Sequence, residues 1–209
     1  MQKKLDYTGS FLACFAVITQ FILMMQNRQT DVAETLIRFF SYFTILTNLL
    51  VALYFTNRIR PFAKVLNHTS SLTAITSFIL IVGLVYQFVL RSAWQPTGLQ
   101  RLVDELLHSV NPLFVFIYWL IYKPKIKISF RSLCYWLAYP LFYALFIMLR
   151  GSISGFYPYP FLNVEKIGWA NAIINMLLIL AVAIVLMLLL SIAGKQVKRK
   201  QEDDLYKNG

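Results

Sequence analysis

Cysteine, histidine and acidic side chains are scarce in this chain, and each scarcity excludes something. The two cysteines, Cys14 and Cys134, both lie inside apolar stretches, and no CxxC pair occurs. A free cysteine packs like a small hydrophobe, so neither a disulfide framework nor a thiolate metal site is expected. Two histidines, His68 and His108, and a scattering of carboxylates are too few for a His-rich centre; no metal and no cofactor is expected. Strict apolar/polar alternation is missing, which argues against a membrane barrel. There is no internal repeat of the kind that builds transporters, and no GxSxG elbow. The opening MQKKLDYTGS precedes an apolar run of span length without a small-residue cleavage site, so it is expected to stay attached to the first helix.

Apolar length is abundant. Of 209 residues 58% are hydrophobic, and the mean hydropathy is +0.61. Stretches of about 20 apolar residues match the roughly 30 Å of a bilayer's hydrocarbon, and helices satisfy their own backbone there. The expected fold class is an all-α polytopic membrane bundle of six helices, at Tyr7–Met25, Leu36–Asn57, Ser70–Leu90, Val103–Tyr122, Ser132–Leu149 and Ile167–Ala193. Short connections make neighbours antiparallel. Residues 1–194 read as the transmembrane domain and 195–209 as a charged, solvated cytoplasmic tail, expected to act first as a topogenic anchor and only second as a contact for anionic lipid.

The net charge of +11 raises nucleic acid as a partner, but the placement of the cations points elsewhere. Lys3 and Lys4, Arg58, Arg60 and Lys64, Lys123, Lys125, Lys127 and Arg131, and the lysines and arginine of the tail fall on one side of the six-span scheme. Arg28, Arg38, Arg91, Arg101, Arg150 and Lys166 fall on the other. This positive-inside bias puts both termini in the cytoplasm of a cell membrane. The expected partners are membrane lipids, not nucleic acid; nothing in the chain identifies a protein partner.

Topology converts position into depth. Ser41 and His108 each lie about five residues inside the outer end of a span, about 7–8 Å down at the helical rise. On the second span Ser41, Thr44 and Asn48 share a helical face, with Thr47 turned partly away; on the fourth, Asp104, His108 and Pro112 do, beside Asn111. Tyr86, Gln87 and Arg91, Tyr139, Tyr143 and Arg150, and Asn171 and Asn175 gather at the same level. The loop GSISGFYPYPFLNVEKIG is expected to fold over the mouth of the bundle. The opposite half, with Leu177–Leu190 almost wholly aliphatic, reads as apolar, so intramembrane polarity is expected on one side only. Each polar residue taken singly is ordinary interhelical glue. Hydroxyl, imidazole, carboxylate and guanidinium at one depth make a functional site.

The chemistry such a set supports is nucleophilic. Neutral imidazole accepts a proton near pH 7, and a hydroxyl beside it becomes an attacking group. Ser41 or Thr44 is the candidate nucleophile, His108 the base and Asp104 its orienter; Asn48, Asn171 or Arg150 are candidate supports for an oxyanion, and Asn175 is a further supporting residue. The substrate is an ester apolar enough to enter from the lipid.

Four stretches carry a resemblance: FFSYFTILTN at Phe39–Asn48, LLHSVNP at Leu106–Pro112, Tyr139-Pro140, and GFYPYPFL at Gly155–Leu162. Over nearly its whole length the chain resembles the androgen-induced and androgen-dependent TFPI-regulating family of six-span membrane hydrolases, and its bacterial branch in particular. The resemblance implies a threonine-hydrolase-like activity on fatty-acyl esters of hydroxy fatty acids and a bacterial inner membrane. His108 matches the family's catalytic histidine. Ser41 stands at the register of the family threonine; Thr44 is a threonine at a position where the animal proteins carry a polar amide or acid. The spacing from His108 to Pro112 is one residue shorter than in the family. A related branch transfers acyl chains from cysteine, but Cys14 and Cys134 do not fall at its positions. The competing expectations are a non-catalytic lipid-binding or structural membrane protein and a small transporter.

Overall fold

A computed structural model describes residues 1–68, 70–123 and 130–207. Every regular element among them is helical: α1 Gln2–Gln26, α2 Val32–Phe40, α3 Phe43–Ile59, α4 Ser71–Val85, α5 Gly98–Glu105, α6 Asn111–Tyr122, α7 Phe130–Ser154 and α8 Val164–Lys207. Two π turns extend this set. Tyr86–Leu90 continues α4, and Leu106–Val110 joins α5 to α6. Five helical stretches are long and apolar enough to cross a membrane: Gln2–Gln26, Ser71–Leu90, Gly98–Tyr122, Arg131–Ser154 and Val164–Gly194. These are the marks of a multi-pass membrane protein; Ser71–Leu90 matches its expected span to within a residue, and the other four reach beyond theirs. Lys125 and Lys127 lie outside the described residues; α8 continues past residue 194 as far as Lys207.

The second expected span is broken. Instead of one helix over Leu36–Asn57, α2 and α3 meet at an angle of 72°. Asp31 caps the start of α2, accepting from the Glu34 amide at 3.0 Å. Ser41 closes α2, and Tyr42 is extended (φ −84°, ψ 122°) before α3 begins. The expected common face of Ser41 and Thr44 therefore does not exist. A break inside an apolar segment strands backbone N–H groups, and tyrosines from far along the chain meet them. Tyr143 Oη accepts from the Phe43 amide at 3.2 Å, and Tyr159 Oη from the Thr44 amide at 3.3 Å. Tyr143 also donates to the Ser41 carbonyl at 2.9 Å.

The helix α4 is central, packing on α3, α6 and α8, while α1 lies along α3. Gly83 lets α4 come close to the second π turn: a Cβ there would stand 3.1 Å from Pro112 Cβ and 3.4 Å from the His108 carbonyl oxygen. The π turn itself has a cause in the sequence. Pro112 has no N–H for the His108 carbonyl, and its ring crowds that oxygen in a regular helix; widening the turn relieves the clash. The helix α7 stands at the periphery, largely exposed, and reaches α3 through tyrosines. Gly168 (φ +77°) breaks the first turn of α8, a backbone geometry that suits glycine.

Polarity is not confined to one end of the bundle. At the end where α1 begins, Asp6 is buried, accepting from Tyr118 Oη at 2.5 Å, with Arg58 Nε 3.8 Å away. Gln2 donates to the same tyrosine at 3.2 Å, Ser10 meets Thr56 at 2.8 Å, and Trp119 Nε1 donates to Thr73 at 3.0 Å. Buried Asn57 pairs with Asn67 and accepts from the Phe62 and Ala63 amides. A buried carboxylate is tolerated when its oxygens are bonded, and here both are engaged.

Candidate functional site

The end formed by the last turns of α1, the α2–α3 break and the two π turns is hollow. A cavity of about 490 Å³ is lined there by Thr44, Tyr42, Tyr86, Asp104, His108 and Tyr159, among others. A second cavity, of about 250 Å³, lies between α4, α7 and α8. Apart from Thr44, Tyr143 and Tyr159 its walls are apolar. Thr44, Tyr159 and Leu90 line both cavities and form the wall between them.

His108 is held in a fixed pose. Its Nδ1 lies 2.9 Å from the Asp104 carbonyl oxygen and 3.2 Å from Asp104 Oδ1. Tyr86 donates from Oη to Asp104 Oδ2 at 2.5 Å, and its ring stacks on the imidazole with centroids 4.3 Å apart and planes 16° from parallel. These contacts use one ring nitrogen and both carboxylate oxygens. The other nitrogen, Nε2, makes no hydrogen bond among the described residues, and His108 lines the larger cavity. Asp104 thus holds His108 through contacts one turn apart, with Tyr86 as a further partner of its carboxylate.

Thr44 opens α3. Its Oγ1 and its amide both lie 3.3 Å from Tyr159 Oη. Burial raises the phenol of Tyr159 above its ordinary pKa, so it remains a neutral hydroxyl. The expected covering loop is therefore also an inserted one: it carries Tyr159 to the start of α3, while Pro158 and Pro160 line the cavity.

Ser41 does not join this group. It is fully buried, its Oγ donates to the Ile37 carbonyl at 2.6 Å, and it lines neither cavity. Serine bonding back to its own helix is the common use of such a residue in lipid.

The expected oxyanion supports are also committed elsewhere. Asn48 donates to the Thr44 carbonyl at 2.9 Å and the Leu107 carbonyl at 3.1 Å, while Asn111 donates to Asn48 Oδ1 at 2.8 Å. Asn48 is a clamp between the turn bearing Thr44 and the turn bearing His108. Arg150 binds Glu34 at 2.7 Å and the Phe156 carbonyl at 3.3 Å. Asn175 holds the loop through the Phe161 carbonyl at 2.9 Å. Asn171 is exposed and bonds only to Ile167 of its own helix. Thr47 meets Tyr139 Oη at 3.1 Å. Cys14 and Cys134 are free thiols away from both cavities.

The chain matches no protein-family model, no curated protein and no solved structure. What the fold defines is a class, the multi-pass helical membrane proteins, and the assignment of an activity rests on the geometry of the hollow end.

Proposed function

We propose that the protein is an intramembrane hydrolase of lipid (fatty-acyl) esters in which Thr44 is the nucleophile and His108 the general base. The observation that carries this reading is that both line one cavity, with His108 anchored through Nδ1 while Nε2 makes no hydrogen bond among the described residues. Thr44 is preferred over Ser41 because the Ser41 hydroxyl is spent on Ile37. The resemblance of FFSYFTILTN, LLHSVNP and GFYPYPFL to the androgen-induced hydrolase family, bacterial branch, supports the same reaction.

In this mechanism Thr44 Oγ1 attacks the ester carbonyl while His108 Nε2 takes its proton, directly or through one water. Negative charge grows on the carbonyl oxygen beside the Tyr159 hydroxyl and the positive end of α3. Collapse expels the alcohol, which recovers the proton from His108. Water, giving a proton to the same nitrogen, then attacks the acyl-threonine; collapse breaks the bond to Thr44 Oγ1, which recovers that proton from His108 as the fatty acid leaves. The cycle needs no cofactor.

The reading includes a topology. Taken as one broken crossing, α2 and α3 bring the number of spans to six, with both termini in the cytoplasm and the hollow end in the outer half of a bacterial inner membrane. The bias of Lys and Arg supports that orientation.

Covalent labelling of the detergent-purified protein by a fluorophosphonate tests the reading. Wild type and Ser41→Ala are expected to label, and Thr44→Ala and His108→Ala to lose labelling by about a hundredfold or more. A folded wild type that stays unlabelled and releases no fatty acid from lipid esters overturns it in favour of a lipid-binding or structural role.

A further inference from the structure

The hollow end is two chambers sharing a wall, and the catalytic pair proposed above does not touch them equally. Thr44 lines both chambers; His108 lines only the larger. The two also differ in character. The larger holds Asp104, Arg28, Arg38, Gln20 and Gln100 in its walls, whereas the smaller offers Ile81, Val85, Met148, Met176, Ala144 and Ala183.

Acyl transfer is directional. The leaving alcohol must take a proton from the general acid, so it departs on the side of the histidine. The acyl group stays bonded to the nucleophile and lies on another side of it. A long hydrocarbon belongs where it loses contact with polar groups, and a small number of polar atoms in an otherwise apolar pocket fixes orientation. Proton delivery and polarity therefore give the same assignment.

Resting on the hydrolase reading, we propose that the cavity between α4, α7 and α8 is the acyl-chain subsite, and that the alcohol portion of the ester occupies and leaves by the polar cavity beside His108. The substrate is then a lipid with an acyl chain on the carbonyl side and a polar, hydrogen-bonding group on the alcohol side. Tyr159 stands at the junction, holding Thr44 where the two portions meet. The length of chain accepted is set by α7 and α8, not by the residues around His108.

Hydrolysis of p-nitrophenyl esters from four to sixteen acyl carbons tests this on the full chain in detergent. Ala144→Trp narrows the proposed acyl subsite from the peripheral helix α7. Met24→Trp fills the polar cavity from α1. Ala144→Trp is expected to lower the ratio of long-chain to short-chain kcat/KM by about tenfold or more, while Met24→Trp leaves that ratio near wild type. The reverse pattern, or no change in the ratio with well-folded Ala144→Trp, overturns the assignment while leaving the hydrolase reading intact. A palmitate carrying a terminal diazirine supplies a measurement that needs no turnover. Photo-crosslinks on α7 and α8 near Met148 and Met176 support the subsite; crosslinks on α1 near Met24 overturn it. Absent labelling by fluorophosphonate with crosslinks still on α7 and α8 would sink the hydrolysis and its alcohol exit but keep the chain-binding chamber.

Discussion

The two ends of the bundle solve the same problem in different ways. Both bury polar side chains. Around Asp6, Tyr118, Gln2 and Arg58 the groups bond one another, and the oxygens of the carboxylate are consumed by neighbours. Around Thr44 and His108 the supporting groups are likewise saturated: Asp104 on both oxygens, Asn48 on both ends of its amide. The difference is what remains. His108 and Thr44 line a cavity; the Thr44 hydroxyl meets Tyr159 Oη at 3.3 Å, and His108 Nε2 makes no hydrogen bond among the described residues. Saturated polarity makes a joint; the same polarity beside a cavity leaves a nitrogen without a partner.

Mutations that separate stability from activity sharpen this comparison. The largest effect is expected from Asp104→Ala, which removes the carboxylate beside Nδ1 while the backbone carbonyl contact remains: turnover of a lipid ester should fall about 10²-fold, the low end of the range for a disabled general base, with a smaller change in melting temperature. Asn48→Ala should lower both, removing about 1–3 kcal/mol by leaving the Asn111 amide and two carbonyls without their partner; thermal unfolding in detergent measures it. At the other end Tyr118→Phe should cost a similar 1–3 kcal/mol by withdrawing a donor from buried Asp6, yet the folded fraction should turn over substrate at the wild-type rate. If Tyr118→Phe lowers kcat in protein that melts normally, the two ends are coupled and the contrast fails. The smallest effect belongs to Gln100→Ala, whose bond to Gln20 sits on the rim; a change beyond about 0.5 kcal/mol is not expected at such a site.

The sequence made the helices legible because their signal is length: an apolar run near 20 residues matches the thickness of a bilayer and little else. It also made the level of Thr44 and His108 legible, and the pairing of Asp104 with His108, which follows from four residues of helix. The 72° break was not legible. Apolarity runs through FFSYF without pause, and the groups that make the break tolerable, Tyr143 and Tyr159, are 100 and 115 residues from the amides they accept from. The same break hides how differently Ser41 and Thr44 are placed, since they look equivalent on a straight helix. Pro112 did announce the π turn, by removing a donor. Asp6 was hidden for a different reason. It precedes the most apolar part of the first span and reads as a flanking charge until Tyr118 is seen beside it. The bonds that occupy Asn48 and Arg150 were not legible either, because Leu107 and Glu34 are far from them along the chain.

The tyrosine caps on α3 have a consequence for how the molecule is made. While the chain is being synthesised, the Phe43 and Thr44 amides emerge long before Tyr143 and Tyr159 exist. A lone amide in hydrocarbon is costly, so the nascent segment Val32–Ile59 is best served by a straight helix, with those amides bonded to carbonyls one turn back. The bend becomes the better arrangement only when α7 and the loop after it arrive. The turn that bears Thr44 is therefore assembled among the last features of the protein, and a chain that stops before α7 carries the same residues without the tyrosines that hold the bend.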